Sequence, residues 1–368
     1  MTGATMTDLT QWYATPPYSL AKDDKSARLT AALADLTRHH YDNCEPYRNI
    51  LNALSFDMNH MSSEIDIPYL PVRLFKTLDL LSIPHAEIVK TMTSSGTTGQ
   101  AVSKIYLDRE TSSNQLKALT KIVSSFVGTQ RLPMLIIDTS SVINDRTRYS
   151  ARAAGIQGFS IFGSDRMFAL NEEMQIDVAG IEGFLEKHQG KPFLLFGFTF
   201  MIWQHFYKEL LKSGRRFDLS RGVLFHGGGW KKLASEAISS AEFRTRLHDV
   251  CGVARVHDYY GMVEQTGSIY MECEQGHLHA SIFSDVVTRR VLDFSPADFG
   301  ERGIIEVVSA LPKSYPGHAL LTEDEGVILG EDDCPCGRLG KYFKLFGRLE
   351  NAEVRGCSDT YAARFSAR

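Results

Sequence analysis

Ser94, Ser95, Gly96, Thr97, Thr98 and Gly99 follow one another without a break, and no residue in the run can fill a core. The two glycines let the backbone turn tightly and approach a ligand closely. The hydroxyls and free amides are uncharged donors, which suits a cradle for phosphate oxygens. Gln100-Ala101-Val102 comes next, so the Gly-Lys-Ser/Thr ending of a Walker loop is missing. A plain Ser/Thr/Gly surface loop has the same composition, so other stretches must decide.

Four of them can do chemistry. His226-Gly227-Gly228-Gly229-Trp230 puts three glycines in a row, and Gly228 and Gly229 suit close approach to a flat ring such as adenine. A tight strand-to-helix turn is the plainer alternative. Tyr260-Gly261-Met262-Val263-Glu264 offers a ring that can stack and a carboxylate that can hold Mg²⁺. Thr322-Glu323-Asp324 is a carboxylate-rich turn in which Asp324 can accept from both hydroxyls of a ribose. The guanidinium of Arg348, after Gly347, can reach a ribose or a phosphate, or form an ordinary surface ion pair.

The cysteines are Cys44, Cys251, Cys273, Cys334, Cys336 and Cys357, four of them in the last hundred residues. That asymmetry points to metal binding or chemistry rather than to a disulfide scaffold. Cys273, His279, Cys334 and Cys336 supply three thiolates and an imidazole, a set that suits tetrahedral structural zinc. His277 competes with His279 as the fourth ligand, and free buried thiols are the alternative to a metal. Cys357 lies in Arg355-Gly356-Cys357-Ser358-Asp359, where the neighbouring arginine favours the thiolate. It is the candidate nucleophile.

These residues need elements to hold them. Pro133–Asp138, Phe193–Gly197 and Gly222–His226 read as buried strands. Amphipathic helices are expected near 109–125, 175–188, 199–213 and 232–249. Such alternation predicts a mostly parallel sheet covered by helices, with ligands beyond the carboxyl ends of its strands. Residues 1–62 read as helical, with Leu29, Leu33, Leu36 and His40 on one face. The α/β core is expected over 63–265. A β-rich subdomain, an antiparallel sheet or small barrel, is expected over 266–350, and a short mobile tail over 351–368.

With 368 residues, 43% of them hydrophobic and 23% charged, the chain can build a large core. A net charge of −4 with no basic block argues against nucleic acid as a partner. The first residues carry no signal-peptide pattern and no stretch is long enough to span a bilayer, so a cytoplasmic protein is expected.

Together the motifs resemble the adenylate-forming superfamily of acyl- and aryl-CoA ligases. Ser94 to Gly99 is similar to its ATP phosphate loop, Tyr260 to Glu264 to its Tyr-Gly-x-x-Glu motif, and Gly347-Arg348 with Val354-Arg355-Gly356 to its hinge. Thr322-Glu323-Asp324 resembles its Thr-Gly-Asp but departs at the middle residue. Ile67 to Lys76, His226 to Lys232 and Arg355 to Tyr361 resemble more narrowly the LuxE-type acyl-protein synthetases. This resemblance runs from about 65 to 361, and the Cys273 to Cys336 pattern is similar to a zinc site in some phenylacetate-CoA ligases.

The resemblance implies an adenylate-forming large domain. The superfamily's C-terminal lid is expected to be missing, because about a dozen residues follow Gly356. Its catalytic lysine is then absent or replaced, with Lys76, Lys231 and Lys232 as candidates. It further implies that ATP and Mg²⁺ activate a fatty acid to acyl-AMP. Cys357 then takes the acyl group as a thioester for delivery to an acyl reductase. Transfer to CoA or to a carrier protein, and a non-catalytic binding subunit, are the competing readings.

Overall fold

The computed structural model describes residues 7–94, 102–144 and 151–349. They divide into two compact units. The first takes 7–94, 102–126 and 261–349, and the second takes 127–144 and 151–260.

The first unit opens with helices α1 (Thr10–Ala14), α2 (Lys22–Asn43) and α3 (Glu45–Ala53). Leu29, Leu33, Leu36 and His40 recur at helical spacing on α2, and all four are buried. The short strand β1 (Leu70–Pro71) leads into a 3-10 turn, Val72–Lys76. β2 (Lys90–Thr93) and β3 (Lys104–Leu107) form an antiparallel hairpin, and α4 (Arg109–Val127) follows.

The second unit is a parallel sheet. Its strands are β4 (Leu132–Thr139), β5 (Gly163–Leu170), β6 (Phe193–Phe198), β7 (Gly222–Gly227) and β8 (Arg255–Tyr260). They lie in the order β8-β7-β6-β4-β5, every pair parallel. Strands buried on both faces read as continuous apolar runs, which is why β6 and β7 are legible in the sequence. The helices between them are α5 (Ser141–Asn144), α6 (Ala151–Ser160), α7 (Val178–Lys187), α8 (Thr199–Met201), α9 (Lys208–Ser213) and α10 (Ser240–Cys251).

Between α8 and α9 the chain widens into a π-helical stretch, Ile202–Tyr207, where Trp203 stacks on Tyr207 at 4.4 Å. The helix expected over 232–249 is instead a 3-10 stretch, Lys231–Glu236, and then α10. The break falls at Ser239, whose side chain caps α10 by accepting from the Glu242 amide, worth about 1 kcal/mol. Leu135, Leu195, Phe206, Leu224, Phe243 and Val256 meet in the core of this unit.

The chain then completes the first unit with β9 (Tyr270–Glu272), β10 (Leu278–His279), β11 (Ser284–Arg289), β12 (Gly303–Ser309), β13 (Ala319–Glu331) and β14 (Lys341–Arg348). They run β11-β12-β13-β14-β10-β9, antiparallel throughout, and β1 pairs in parallel with β13 through Leu70↔Leu320. A buried charge network ties α2 to this sheet. Lys25 meets Asp285 at 3.3 Å, and Lys341 meets Asp285 at 2.9 Å and Glu64 at 3.0 Å. Losing one partner would leave a buried charge uncompensated, at about 3–5 kcal/mol. Among the described residues no helix is long and apolar enough to cross a membrane.

Candidate functional site

In the first unit the candidate site centres on Glu264. It sits in a single 3-10 turn, Val263–Gln265, and is buried. Burial raises its pKa, while the Ser103 hydroxyl, its own backbone amide, Lys76 and Arg348 oppose that rise. A buried carboxylate with two cations and a hydroxyl around it is a hard oxygen donor of the kind Mg²⁺ takes. Lys76 arrives here from the 3-10 turn after β1, whose Phe75 packs edge-on against Tyr315.

Ser94 directly follows β2 and is locked to Ser103, which directly precedes β3. Its amide donates to the Ser103 carbonyl at 3.1 Å, and its hydroxyl accepts from the Ser103 amide at 2.9 Å. The other loop residues, Ser95, Gly96, Thr97, Thr98 and Gly99, lie outside the described residues. The chain therefore leaves and re-enters the hairpin at two paired serines, of which Ser103 borders Glu264. The motif reading missed Ser103. Its signal was its place as a second small hydroxylated residue just beyond the loop.

Asp324 and Arg348 are cross-strand partners in the β13–β14 ladder, with Arg348 Nε 3.9 Å from an Asp324 carboxylate oxygen. Thr322 fixes the approach to Asp324. Its hydroxyl donates to the Ile305 carbonyl at 2.6 Å and accepts from the Asp324 amide at 3.1 Å. Glu323, which stands where the family motif has glycine, is engaged by Arg73, whose Nε and Nη2 reach one oxygen at 3.1 and 2.7 Å.

In the second unit the polar residues gather at the carboxyl ends of the parallel strands, where α/β sheets take their ligands. Gly228 and Gly229 follow β7 with φ of +83° and +66°, a region that other residues enter at a cost. A Cβ on Gly228 would lie 2.8 Å from the Phe198 ring. The Thr199 hydroxyl donates to the Gly227 carbonyl at 3.2 Å and lies 2.9 Å from Nδ1 of His226. With its one proton given to Gly227, that hydroxyl accepts from Nδ1–H. Burial, with the charges of His257 and Arg244, lowers His226 to about 3, so the imidazole is neutral. Tyr260 is the last residue of β8. Asp138, near the end of β4, pairs with Arg152 of α6 at 3.0 Å, and burial pushes its pKa up to about 6 against that pairing.

The first unit also holds the Cys/His cluster. The ligand atoms of Cys273, His279, Cys334 and Cys336 all lie within 4.8 Å of one another. Cys273 Sγ is 4.0 Å from Cys334 Sγ, and Cys336 Sγ is 3.4 Å from His279 Nε2. Bonds of about 2.3 Å to sulfur and 2.0–2.1 Å to nitrogen in a tetrahedron give edges near 3.8 and 3.5 Å, so the four donors fit one ion. His277 lies outside that set, with its Nδ1 3.4 Å from Cys334 Sγ, and Tyr342 stacks on both histidines. Cys44 and Cys251 are buried apart from the cluster, and burial raises both thiols, Cys251 to about 11. Cys357 lies outside the described residues.

The fold is that of the adenylate-forming ligases. It is similar to 2-hydroxyisobutyryl-CoA ligase in an open conformation in complex with 2-HIB-AMP and CoA. The TM-score is 0.69 at 14% identity, over 92% of this chain and 79% of that chain. The same ligase in a postadenylation state matches at 0.68 and 15%, over 90% of this chain and 69% of the other. Within that class the chain belongs to the LuxE acyl-protein synthetase family, whose model matches residues 3–366, and it is an enzyme of the ligase type. It is 24% identical over 334 residues to a long-chain-fatty-acid–luciferin-component ligase of Aliivibrio fischeri, across 87% of this chain and 84% of the relative. A protein of the same description from Photorhabdus luminescens is 34% identical over 87 residues, 24% of this chain and 74% of that relative.

Proposed function

We propose that this ligase activates a long-chain fatty acid with ATP and then carries the acyl group as a thioester on Cys357, for delivery to an acyl reductase. The observation that carries the first step is buried Glu264, with Ser103, Lys76 and Arg348 acting on it. Family membership supports the choice of acid and of a protein thiol as acceptor.

In the first step a carboxylate oxygen of the acid attacks the α-phosphorus of ATP. The bond to the bridging oxygen breaks, pyrophosphate leaves, and a mixed acyl–phosphate anhydride remains. Catalysis of such a step is mostly alignment and neutralisation of charge. Glu264 is the residue that would hold Mg²⁺, which supplies positive charge against the phosphates when bound. In this reading Ser94, with Ser95 to Gly99, holds phosphate oxygens through hydroxyls and amides. Asp324 accepts from the ribose hydroxyls, Arg348 orients Asp324, and Gly228, Gly229 and Tyr260 face adenine.

In the second step the Cys357 thiolate attacks the acyl carbon and AMP leaves, so the thiol proton passes to solvent or base. Among the described residues every cysteine is either a raised, buried thiol or a member of the cluster. That supports Cys357 as the acceptor, and Arg355, two positions earlier in the sequence, favours the thiolate. The cluster is read as structural zinc held by Cys273, His279, Cys334 and Cys336. Four protein donors leave no open position for catalysis.

The test is labelling. Radiolabelled fatty acid with ATP and Mg²⁺ should mark the protein, and hydroxylamine should strip the label. Full labelling of Cys357→Ser would end the assignment of Cys357. Transfer to free CoA at a comparable rate would support the CoA-ligase reading instead.

A further inference from the structure

We infer that Gln265 is a positioning residue, aiming the Glu264 carboxylate by anchoring the turn that carries it. The inference rests on the reading of Glu264 as the Mg²⁺ carboxylate. A turn of three residues, Val263–Gln265, has almost no stability of its own, so its direction must come from tertiary anchors.

Gln265 is buried, and its Nε2 donates to two backbone carbonyls, Val307 at 3.2 Å and Gly317 at 3.0 Å. Both partners are acceptors, so the amide nitrogen must face them and the orientation of the group is chemically fixed. One carbonyl is on β12 and the other is on the strap that joins β12 to β13. A single side chain thus ties the turn to two separate pieces of backbone. Oε1 is left buried with no hydrogen-bond partner among the described residues. An apolar side chain of the same length would avoid that cost. What glutamine adds is the pair of donors.

The strap closes the other side of the turn. A Cβ on Gly317 would lie 2.7 Å from the Glu264 carbonyl oxygen, so this glycine backs directly onto the Glu264 peptide. Tyr315, fully buried on the same strap, receives Gln115 Nε2 at 3.3 Å, and burial first, then the Glu264 charge, raises its pKa. The Thr266 hydroxyl donates to the Val263 carbonyl at 2.9 Å and closes the turn from its far end. The Glu264 peptide is therefore held by Gln265 and Gly317, with Ser103, Lys76 and Arg348 acting on its side chain.

The test replaces Gln265 by methionine, which keeps length and loses both donors. Mn²⁺, standing in for Mg²⁺, is titrated by electron paramagnetic resonance with ATP present and no acid, so nothing turns over. Gln265→Met should weaken Mn²⁺ by about tenfold and raise the Mg²⁺ needed for half-maximal pyrophosphate exchange by about the same factor. At saturating Mg²⁺ the KM for ATP should stay within about twofold of the parent. Unchanged Mn²⁺ affinity in Gln265→Met, with Glu264→Gln strongly weakened, would overturn the positioning role alone. Unchanged affinity in Glu264→Gln would overturn the metal reading and the positioning role with it. A loss of thermal stability in Gln265→Met with normal Mn²⁺ affinity would show a merely structural residue. Should that variant not accumulate, Gln265→Asn, which keeps both donors one methylene short, gives the same readout.

Discussion

Asp324 and Arg348 stand directly opposite each other on β13 and β14, their charged groups 3.9 Å apart and partly exposed. A pair that open to water contributes about 0–1 kcal/mol to folding. Its value must lie elsewhere, and the ladder register keeps the two side chains beside one another without help from their charges. Asp324→Ala should therefore leave the melting temperature nearly unchanged and raise the KM for ATP by about tenfold or more. The parent should lose a similar factor with 2′-deoxy-ATP, and Asp324→Ala should lose little more. Equal sensitivity of the variant to the deoxynucleotide would remove Asp324 from the ribose.

Glu264 gives a second prediction. Its pKa is raised, first by burial, so it takes up a proton at a higher pH than an ordinary glutamate. Protonation competes with the metal, because only the carboxylate form binds it. Activity should then fall on the acid side, and the acid limb should move to lower pH as Mg²⁺ is increased. A limb that ignores Mg²⁺ would separate the titration from the metal. Glu264→Gln should lose about a hundredfold or more of exchange activity.

Much of the architecture is legible in the chain because burial on both faces leaves continuous apolar runs. Phe193–Gly197 and Gly222–His226 fall inside β6 and β7 on that ground alone. Local pattern does not show which distant pieces meet. Leu70 pairs with Leu320, and α2 packs in the same unit as β11 to β14, through partners more than two hundred residues away. The π-helical stretch at 202–207 looks like ordinary helix in sequence, since a one-residue widening does not disturb apolar spacing enough to be seen. At the site, Glu264 was readable as a motif. Gln265 acts only through geometry and carries no signal by itself, while the signal of Ser103 is no more than its place just beyond the loop.

The buried histidines give a pH prediction. Burial lowers His318 and His226 to about 3, and His40 well below its ordinary value, with His40 also facing the charges of His318 and His39. The unfolded chain binds these protons near pH 6.5 and the folded chain does not. Stability is thus complete above that value and is lost as pH falls from about 6.5 toward 3. Each histidine contributes a slope of about 1.4 kcal/mol per pH unit in that window. His318→Gln, which can still bond Thr37, should flatten the profile by roughly one such slope between pH 6 and 5. An unchanged slope in chemical-denaturation curves would contradict it.

The Cys/His cluster predicts stoichiometric zinc in protein purified without chelator. Cys334→Ser or Cys336→Ser should lose the metal and lower the melting temperature by about 5–10 °C. The cluster lies just after β9, on β10 and in the turn before β14, so exchange activity at low temperature should survive in part. Elemental analysis finding no stoichiometric metal in undamaged protein would end the zinc assignment.

The central claim is that activation on ATP precedes capture of the acyl group by a protein thiol. Acid-dependent ATP–pyrophosphate exchange, measured in the parent and in Cys357→Ser, tests it most directly. Exchange should be present with long-chain fatty acid in both, because the cysteine acts only after pyrophosphate has left, while hydroxylamine-labile label should appear in the parent alone. Absence of exchange from the parent with every acid tried would contradict the account.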